Sequence, residues 1–107
     1  MSTLSTHVLD AVTGTPAVGV TVTLSNAGAS VLATATTDDD GRIKAVSGAL
    51  TPGVYRLLFD TAGYFASIDV AAFYPEVVIA FEVTDADEHY HVPLLLSPYA
   101  YSTYRGS

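Results

Sequence analysis

Cysteine is absent from this chain of 107 residues, and so is tryptophan. Without thiols there is neither a disulfide framework nor a thiolate metal site, so the fold rests on burial and hydrogen bonding. Cationic residues are almost as scarce: Arg42, Lys44, Arg56 and Arg105 stand against 11 acidic residues, for a formal charge of −7. A protein that neutralises nucleic-acid phosphates needs a basic stripe, and four scattered cations do not make one. A site for an anion must therefore be a small local concentration of positive charge, while the acidic remainder serves solubility. Long apolar runs are missing too. No stretch approaches the roughly 20 residues of a membrane span, so no membrane partner is expected. The opening MSTLSTHVLDAV lacks the basic and apolar regions of a secretory leader, and Arg105-Gly106-Ser107 does not resemble a peroxisomal tripeptide. The expected compartment is a bacterial cytoplasm, or a periplasm if a leader has been removed.

What is present is strand composition. Half the residues are apolar and 14% are charged, which excludes a disordered chain and fits one domain over residues 1–107. Valine and threonine together supply 26 residues, and apolar positions recur with period two. GVTVTLS sets Val20, Val22 and Leu24 against Thr21 and Thr23. VYRLLFD sets Tyr55, Leu57 and Phe59 against Val54, Arg56 and Leu58. EVVIAFEV sets Val77, Ile79, Phe81 and Val83 against Val78, Ala80 and Glu82. Turn signals separate these runs at TGTP (13–16), DDDG (38–41), TPG (51–53) and Ser97-Pro98. Only residues 61–71 suit a helix, of one or two turns. The pattern predicts an all-β, two-sheet sandwich with one short helix. The acidic run Asp38, Asp39 and Asp40 is expected to be a solvated hairpin turn with Gly41 at positive φ, since no bidentate Glu follows at calcium-loop spacing.

Strand parity then sorts the polar residues. In the first strand His7 points with Ser5 and Leu9, opposite Leu4, Thr6 and Val8. In HYHVPLLLS, His91 points with His89, Pro93 and Leu95, opposite Val92, Leu94 and Leu96. Ser102, Tyr104 and Gly106 share a face of the last strand. The side with Val8, Val92, Leu94 and Leu96 is the better core, so His7, His91 and Tyr104 are expected on the outer face, if these strands are neighbours. Leu9 and Leu95 share that face, which suggests that another subunit covers it.

Residues 8–64 resemble prealbumin-type and carboxypeptidase-regulatory-type sandwich modules and by themselves argue only for a structural domain. Four further stretches change the reading: LSTHVLD (4–10), DGR (40–42), FYPEVVI (73–79) and the closing HYHVPLLLSPYAYSTYRGS (89–107). Together they resemble the 5-hydroxyisourate hydrolases, the transthyretin-like enzymes of urate breakdown. The most specific element is Tyr104-Arg105-Gly106-Ser107, which marks the hydrolases and is missing from transthyretin. In that hormone carrier the positions matching His7 and His91 are lysine and threonine. Residues 26–33 and 44–50 carry no family motif.

The resemblance implies two four-stranded sheets, a short helix after the fifth strand, and a homotetramer built as a dimer of dimers, with active sites in the channel where dimers meet. It implies hydrolysis of a ring amide of 5-hydroxyisourate to 2-oxo-4-hydroxy-4-carboxy-5-ureidoimidazoline, with no cofactor. Such chemistry needs a group near pKa 6.5 to take a proton from water, a donor for the developing oxyanion, and a fork of donors to hold a planar polar substrate. His7 and His91 are assigned to water activation and proton delivery, in either order, and Arg42 to charge stabilisation. Tyr104, Arg105, Gly106 and Ser107 form the substrate-binding tail, and the Ser107 α-carboxylate is available to pair with Arg105 or orient an imidazole.

Other residues are read as structural. His89 is taken as an ordinary strand histidine, Lys44 and Arg56 as surface charges, and Tyr99 and Tyr101 as packing residues. Ser102 lacks a nucleophile elbow. No metal is expected, although zinc on His7, His89 and His91 is an alternative; no carboxylate or thiol completes that set by spacing. The competing functions are a small-molecule carrier that uses the same channel and a purely structural module.

Overall fold

The computed structural model describes residues 3–106. Nine strands and one helix follow in chain order: β1 (Thr3–Asp10), β2 (Thr15–Pro16), β3 (Thr21–Asn26), β4 (Val31–Thr36), β5 (Arg42–Ser47), β6 (Gly53–Phe59), α1 (Thr61–Ser67), β7 (Val77–Val83), β8 (His89–Ser97) and β9 (Ala100–Thr103). They form two facing sheets. One runs β2-β1-β8-β9 with β5 also paired to β1; the other runs β4-β3-β6-β7. The first is five-stranded rather than four-stranded because the two-residue β2 adds a rung beside Leu9 and Asp10. Without β2 the count is four and four, and the helix follows the fifth long strand.

The core forms where the predicted apolar faces meet. Leu4 and Val8 of β1, Leu94 and Leu96 of β8, Val22 and Leu24 of β3, Leu57 and Phe59 of β6, and Val77 and Val83 of β7 are fully or almost fully buried. Each such side chain contributes roughly 1.5–3 kcal/mol. Buried hydroxyls are satisfied locally: Thr6 Oγ1 donates to Val92 O (2.6 Å), and Thr37 Oγ1 donates to Ala17 O (2.7 Å) while accepting from Val20 N. Among the described residues no buried side-chain nitrogen or oxygen lacks a partner.

The helix is short because its start is strong and its sequence soon stops supporting it. Asp60 caps it by accepting from Gly63 N (3.0 Å), and Thr61, Tyr64 and Phe65 face inward. Tyr64 Oη donates to Asp10 Oδ2 (2.8 Å), while Asp10 Oδ1 accepts from Val12 N and Thr13 N. Asp10 of the LSTHVLD stretch therefore ties the turn after β1 to the helix. Burial, followed by the Asp10 carboxylate, pushes the Tyr64 phenol up to about 12.

Two expectations need correction. The acidic turn is not a hairpin, because β4 and β5 belong to different sheets; it is a crossover. Gly41 does have positive φ (72°) there. Its bare Cα also lets the crossover press against β1, with Val8 N donating to Gly41 O (2.7 Å) and an added Cβ meeting Val8 O. Tyr99 and Tyr101 are not packed away: they are 69% and 43% exposed, although Tyr101 meets Tyr74 edge-on at 5.3 Å.

Candidate active site

Three adjacent strands position the site. β1 is flanked by β5 on one side and β8 on the other, and the register sets His7 opposite Arg42 and Ser5 opposite His91. All four lie on the sheet surface away from the core, as parity predicts. The β1–β5 pairing is irregular between Leu4 and Thr6, and beyond that point Thr6 pairs with Ile43 facing inward and His7 with Arg42 facing outward. Neighbouring strands lie about 4.8 Å apart, so one small planar molecule can span this group.

His91 is held most firmly. Its Nδ1 is 2.7 Å from Ser5 Oγ, which leaves Nε2 for chemistry. Its backbone carbonyl accepts from Gly106 N (2.9 Å). Gly106 lies against the imidazole so closely that an added Cβ would collide with the ring's Cδ2. Burial lowers the His91 pKa below its ordinary 6.5, the positive charges of Arg42, His89 and His7 act in the same direction, and a hydrogen bond with Ser5 opposes them in part. A histidine so placed stays neutral at physiological pH, the state a general base requires. His7 has its Nε2 3.0 Å from the carbonyl oxygen of Asp40; as donor there, it keeps Nδ1 for a second partner.

Arg42 begins β5 just after the crossover. Asp38 Oδ1 accepts from the backbone N–H groups of Asp40 (2.9 Å) and Arg42 (3.0 Å), and the bond from Arg42 N lowers the Asp38 pKa. The Asp38-Asp39-Asp40 run thus serves to shape the turn that presents Arg42. Ser5, Thr6, Arg42, Ile43, Lys44, His89 and His91 line a recess of about 150 Å³ on this face.

The tail divides. Register carries Tyr104 and Gly106 to the His91 side of the sheet. Arg105 turns the other way: its guanidinium lies 5.0 Å over the Tyr90 ring and donates to Glu88 Oε2 (3.1 Å). Within one chain it therefore does not join Arg42. Tyr104, Arg105, His91 and Glu82 instead border a separate groove of about 300 Å³ at the sandwich edge between β7 and the tail. Ser107 lies outside the described residues.

Lys44 and His89, read as ordinary, and Ser5, which was assigned no role, stand in the site. Ser5 Oγ also contacts His89 Nε2 (2.9 Å), and His89 Nδ1 contacts Thr3 Oγ1. Ser5 was already visible as a same-face neighbour of His7 by period two. Among the described residues no group of three or more His, Cys, Asp or Glu side chains is arranged to hold a metal ion.

A family model described as HIUase/Transthyretin family matches residues 4–106. The chain belongs to the HIUase/Transthyretin family. Among its relatives is a 5-hydroxyisourate hydrolase of Salmonella typhimurium, 51% identical over 97% of this chain and 80% of that protein. The structure of Klebsiella pneumoniae 5-hydroxyisourate hydrolase superposes with a TM-score of 0.91 at 45% identity, covering 100% of this chain and 94% of the other. Sea bream transthyretin in complex with thyroxine superposes with a TM-score of 0.90 at 34% identity, over 96% of this chain and 93% of that one. The sandwich is thus the HIUase/transthyretin fold, shared by a hydrolase and a thyroxine-binding protein. The backbone does not decide between those two activities; the side chains of the outer face must.

Proposed function

We propose that this member of the HIUase/Transthyretin family is a hydrolase that opens the six-membered ring of 5-hydroxyisourate at a ring amide. The observation that carries the reading is the His91 imidazole, anchored through Nδ1 by Ser5 (2.7 Å), with Nε2 making no hydrogen bond among the described residues and Arg42 lining the same recess. His91 takes the proton as water attacks the ring carbonyl. Arg42 stabilises the oxygen on which charge develops, and His7, facing Arg42 across the strand pair, delivers a proton to the departing ring nitrogen. The relatives named 5-hydroxyisourate hydrolase support the substrate.

The functional unit is a homotetramer in which a second dimer covers this face. The support is chemical. Arg42 is exposed in the single chain, and an oxyanion donor gains strength when water is excluded. Leu9 and Leu95 flank the histidines on the same face, which is apolar surface suited to burial between subunits.

The test generates 5-hydroxyisourate from urate in a cuvette and follows its absorbance decay. The protein should accelerate the decay, and His7→Ala and His91→Ala should each lower the rate at least ~100-fold with an unchanged circular dichroism spectrum. Decay at the spontaneous rate with wild-type protein would leave the carrier reading in its place. Light scattering should return the mass of four chains; a fully active monomer would remove the covered face from the mechanism.

A further inference from the structure

In this ring opening the nitrogen departs as a non-basic ureido group that does not keep an extra proton, while the carbonyl ends as a carboxylate. Each turnover at neutral pH therefore releases one net proton. A base on a face closed by another subunit has to pass that proton on. The row of contacts along β1 and β8 runs from the site toward solvent: His91 Nδ1 to Ser5 Oγ (2.7 Å), Ser5 Oγ to His89 Nε2 (2.9 Å), and His89 Nδ1 to Thr3 Oγ1. Ser5 is buried at 9% exposure, whereas His89 and its contact with Thr3 are exposed. The two rings lie 6.5 Å apart and nearly parallel, at 18°.

We propose that Ser5 and His89 are positioning residues that form a proton wire from His91 to solvent, fixing which nitrogen of His91 is basic and carrying away the proton it takes. The inference rests on the hydrolase reading above. A neutral imidazole has one N–H and one lone pair, and a serine hydroxyl has one proton. The row therefore has two consistent directions. In the resting direction His91 Nδ1–H donates to Ser5, Ser5 Oγ–H donates to His89 Nε2, and His89 Nδ1–H donates to Thr3. His91 Nε2 then presents its lone pair to the attacking water. As Nε2 gains that proton, the Nδ1 proton moves to Ser5, the serine proton moves to His89 Nε2, and the His89 Nδ1 proton leaves through Thr3 to bulk water. One proton enters and one leaves, with no ring left doubly protonated. Once product has left, the row takes one proton back from solvent at Thr3 as His91 Nε2 gives one up to water entering the site, which restores the resting direction.

The charged and titratable groups around His91 favour transfer over storage. His7 on β1, Arg42 and Lys44 on β5, and His89 on its own strand are all cationic or able to become so. Arg105 and Tyr104 of the tail and Glu82 of β7 line the groove on its other side. Glu82 is the one acid among them.

The experiment compares wild type with Ser5→Ala, His89→Ala and Ser5→Thr, and records the histidine ¹⁵N spectrum of each. Ser5→Ala and His89→Ala should lower kcat roughly 10–100-fold with KM within about twofold, while Ser5→Thr, which keeps the hydroxyl, recovers most of the rate. In the resting wild type His91 should be the Nδ1–H tautomer, and Ser5→Ala should convert it to Nε2–H. An active wild type with an Nε2–H resting His91, or a Ser5→Ala variant with wild-type kcat and tautomer, overturns the wire and leaves the hydrolase standing. If wild type itself fails to accelerate the decay, the hydrolase reading falls instead. Should Ser5→Ala not fold, the tautomer of wild type and the rate of His89→Ala still decide.

Discussion

Gly106→Ala is the most informative single methyl group in this chain. Gly106 is not in the left-handed region of backbone space, so alanine adds no conformational strain. What it adds is volume against His91. Its Cβ would overlap the ring's Cδ2 and lie 3.1 Å from Cγ and 3.3 Å from Cβ. Carbon pairs settle at roughly 3.5–4.0 Å, so ring and tail must separate by about 1 Å. Neither gives freely. The ring is held through Nδ1 by Ser5 (2.7 Å), and the tail is held by Gly106 N–H on His91 O (2.9 Å). A misplacement of about 1 Å at a reacting group costs on the order of 10²-fold, or about 2.7 kcal/mol of transition-state stabilisation. The site lies at the chain end, away from the core, so stability should change by less than about 1 kcal/mol and Tm by no more than roughly 4–8 °C. Steady-state decay of 5-hydroxyisourate and a thermal melt measure both numbers. Turnover within twofold of wild type would show that the tail does not pack on the catalytic imidazole in solution. A collapsed Tm would make Gly106 a folding residue instead.

The remaining predictions concern pH, the tail, the crossover and the helix. Because the His91 pKa is lowered from 6.5, the acid limb of kcat/KM should fall below pH 6.5, and Arg42→Gln should move it upward; a limb above 6.5 contradicts the assignment of His91 as base. The same depression means the unfolded chain binds more protons, so this contribution to stability is present above pH 6.5 and is lost as pH falls through the folded value, which a series of melts detects. Deleting residues 104–107 should abolish turnover, and an active truncation would reduce the tail to an edge strand. Gly41→Ala combines positive φ (72°) with a clash on Val8 O and should destabilise by at least about 1–3 kcal/mol, read as a lower urea midpoint; an unchanged midpoint would mean that the crossover is not pressed on β1. Tyr64→Phe strips the buried Asp10 Oδ2 of its donor and should cost about 1–3 kcal/mol, with specific activity unchanged; an equal melt would show that the bond is not made.

Much of the fold was legible because period two is a local signal. The inward faces of β3, β6 and β7 could be read from single strands, and they became core except for Ile79 and Phe81, which are half-buried against it. Sheet membership could not be read in this way. The DDDG turn looks like a hairpin by composition, since the residues that make a tight turn are the same whether the chain returns along its own sheet or crosses to the other. The exposed Tyr99 and Tyr101 failed for a related reason: a tyrosine can pack inside its own domain or wait for another chain, and composition does not distinguish the two.

For the site, the limit was register. Parity put Ser5, His7, His89 and His91 on outward faces, but parity says nothing about which outward residues sit side by side. Ser5 reaches both His89 and His91 because β1 and β8 run parallel with Ser5 level with His91; a shift of two residues would preserve every parity and put Ser5 beside Pro93. Likewise Arg105 carries the most specific motif in the sequence, yet the bridge that seats Gly106 against His91 turns its side chain toward Glu88 and Tyr90. A motif names the residues that matter together, and the alternation of a strand then sends adjacent members to opposite faces. In a single chain Arg105 belongs to the sandwich edge, so any substrate contact it makes must come through the β7–tail groove that Tyr104 and His91 share with it. Arg105→Ala should therefore release Glu88 and open that groove while leaving Arg42 and the Ser5–His91 bond in place, and its effect should fall on KM more than on kcat. A kcat loss as large as that of His91→Ala, with KM unchanged, would instead put the guanidinium at the reacting carbonyl.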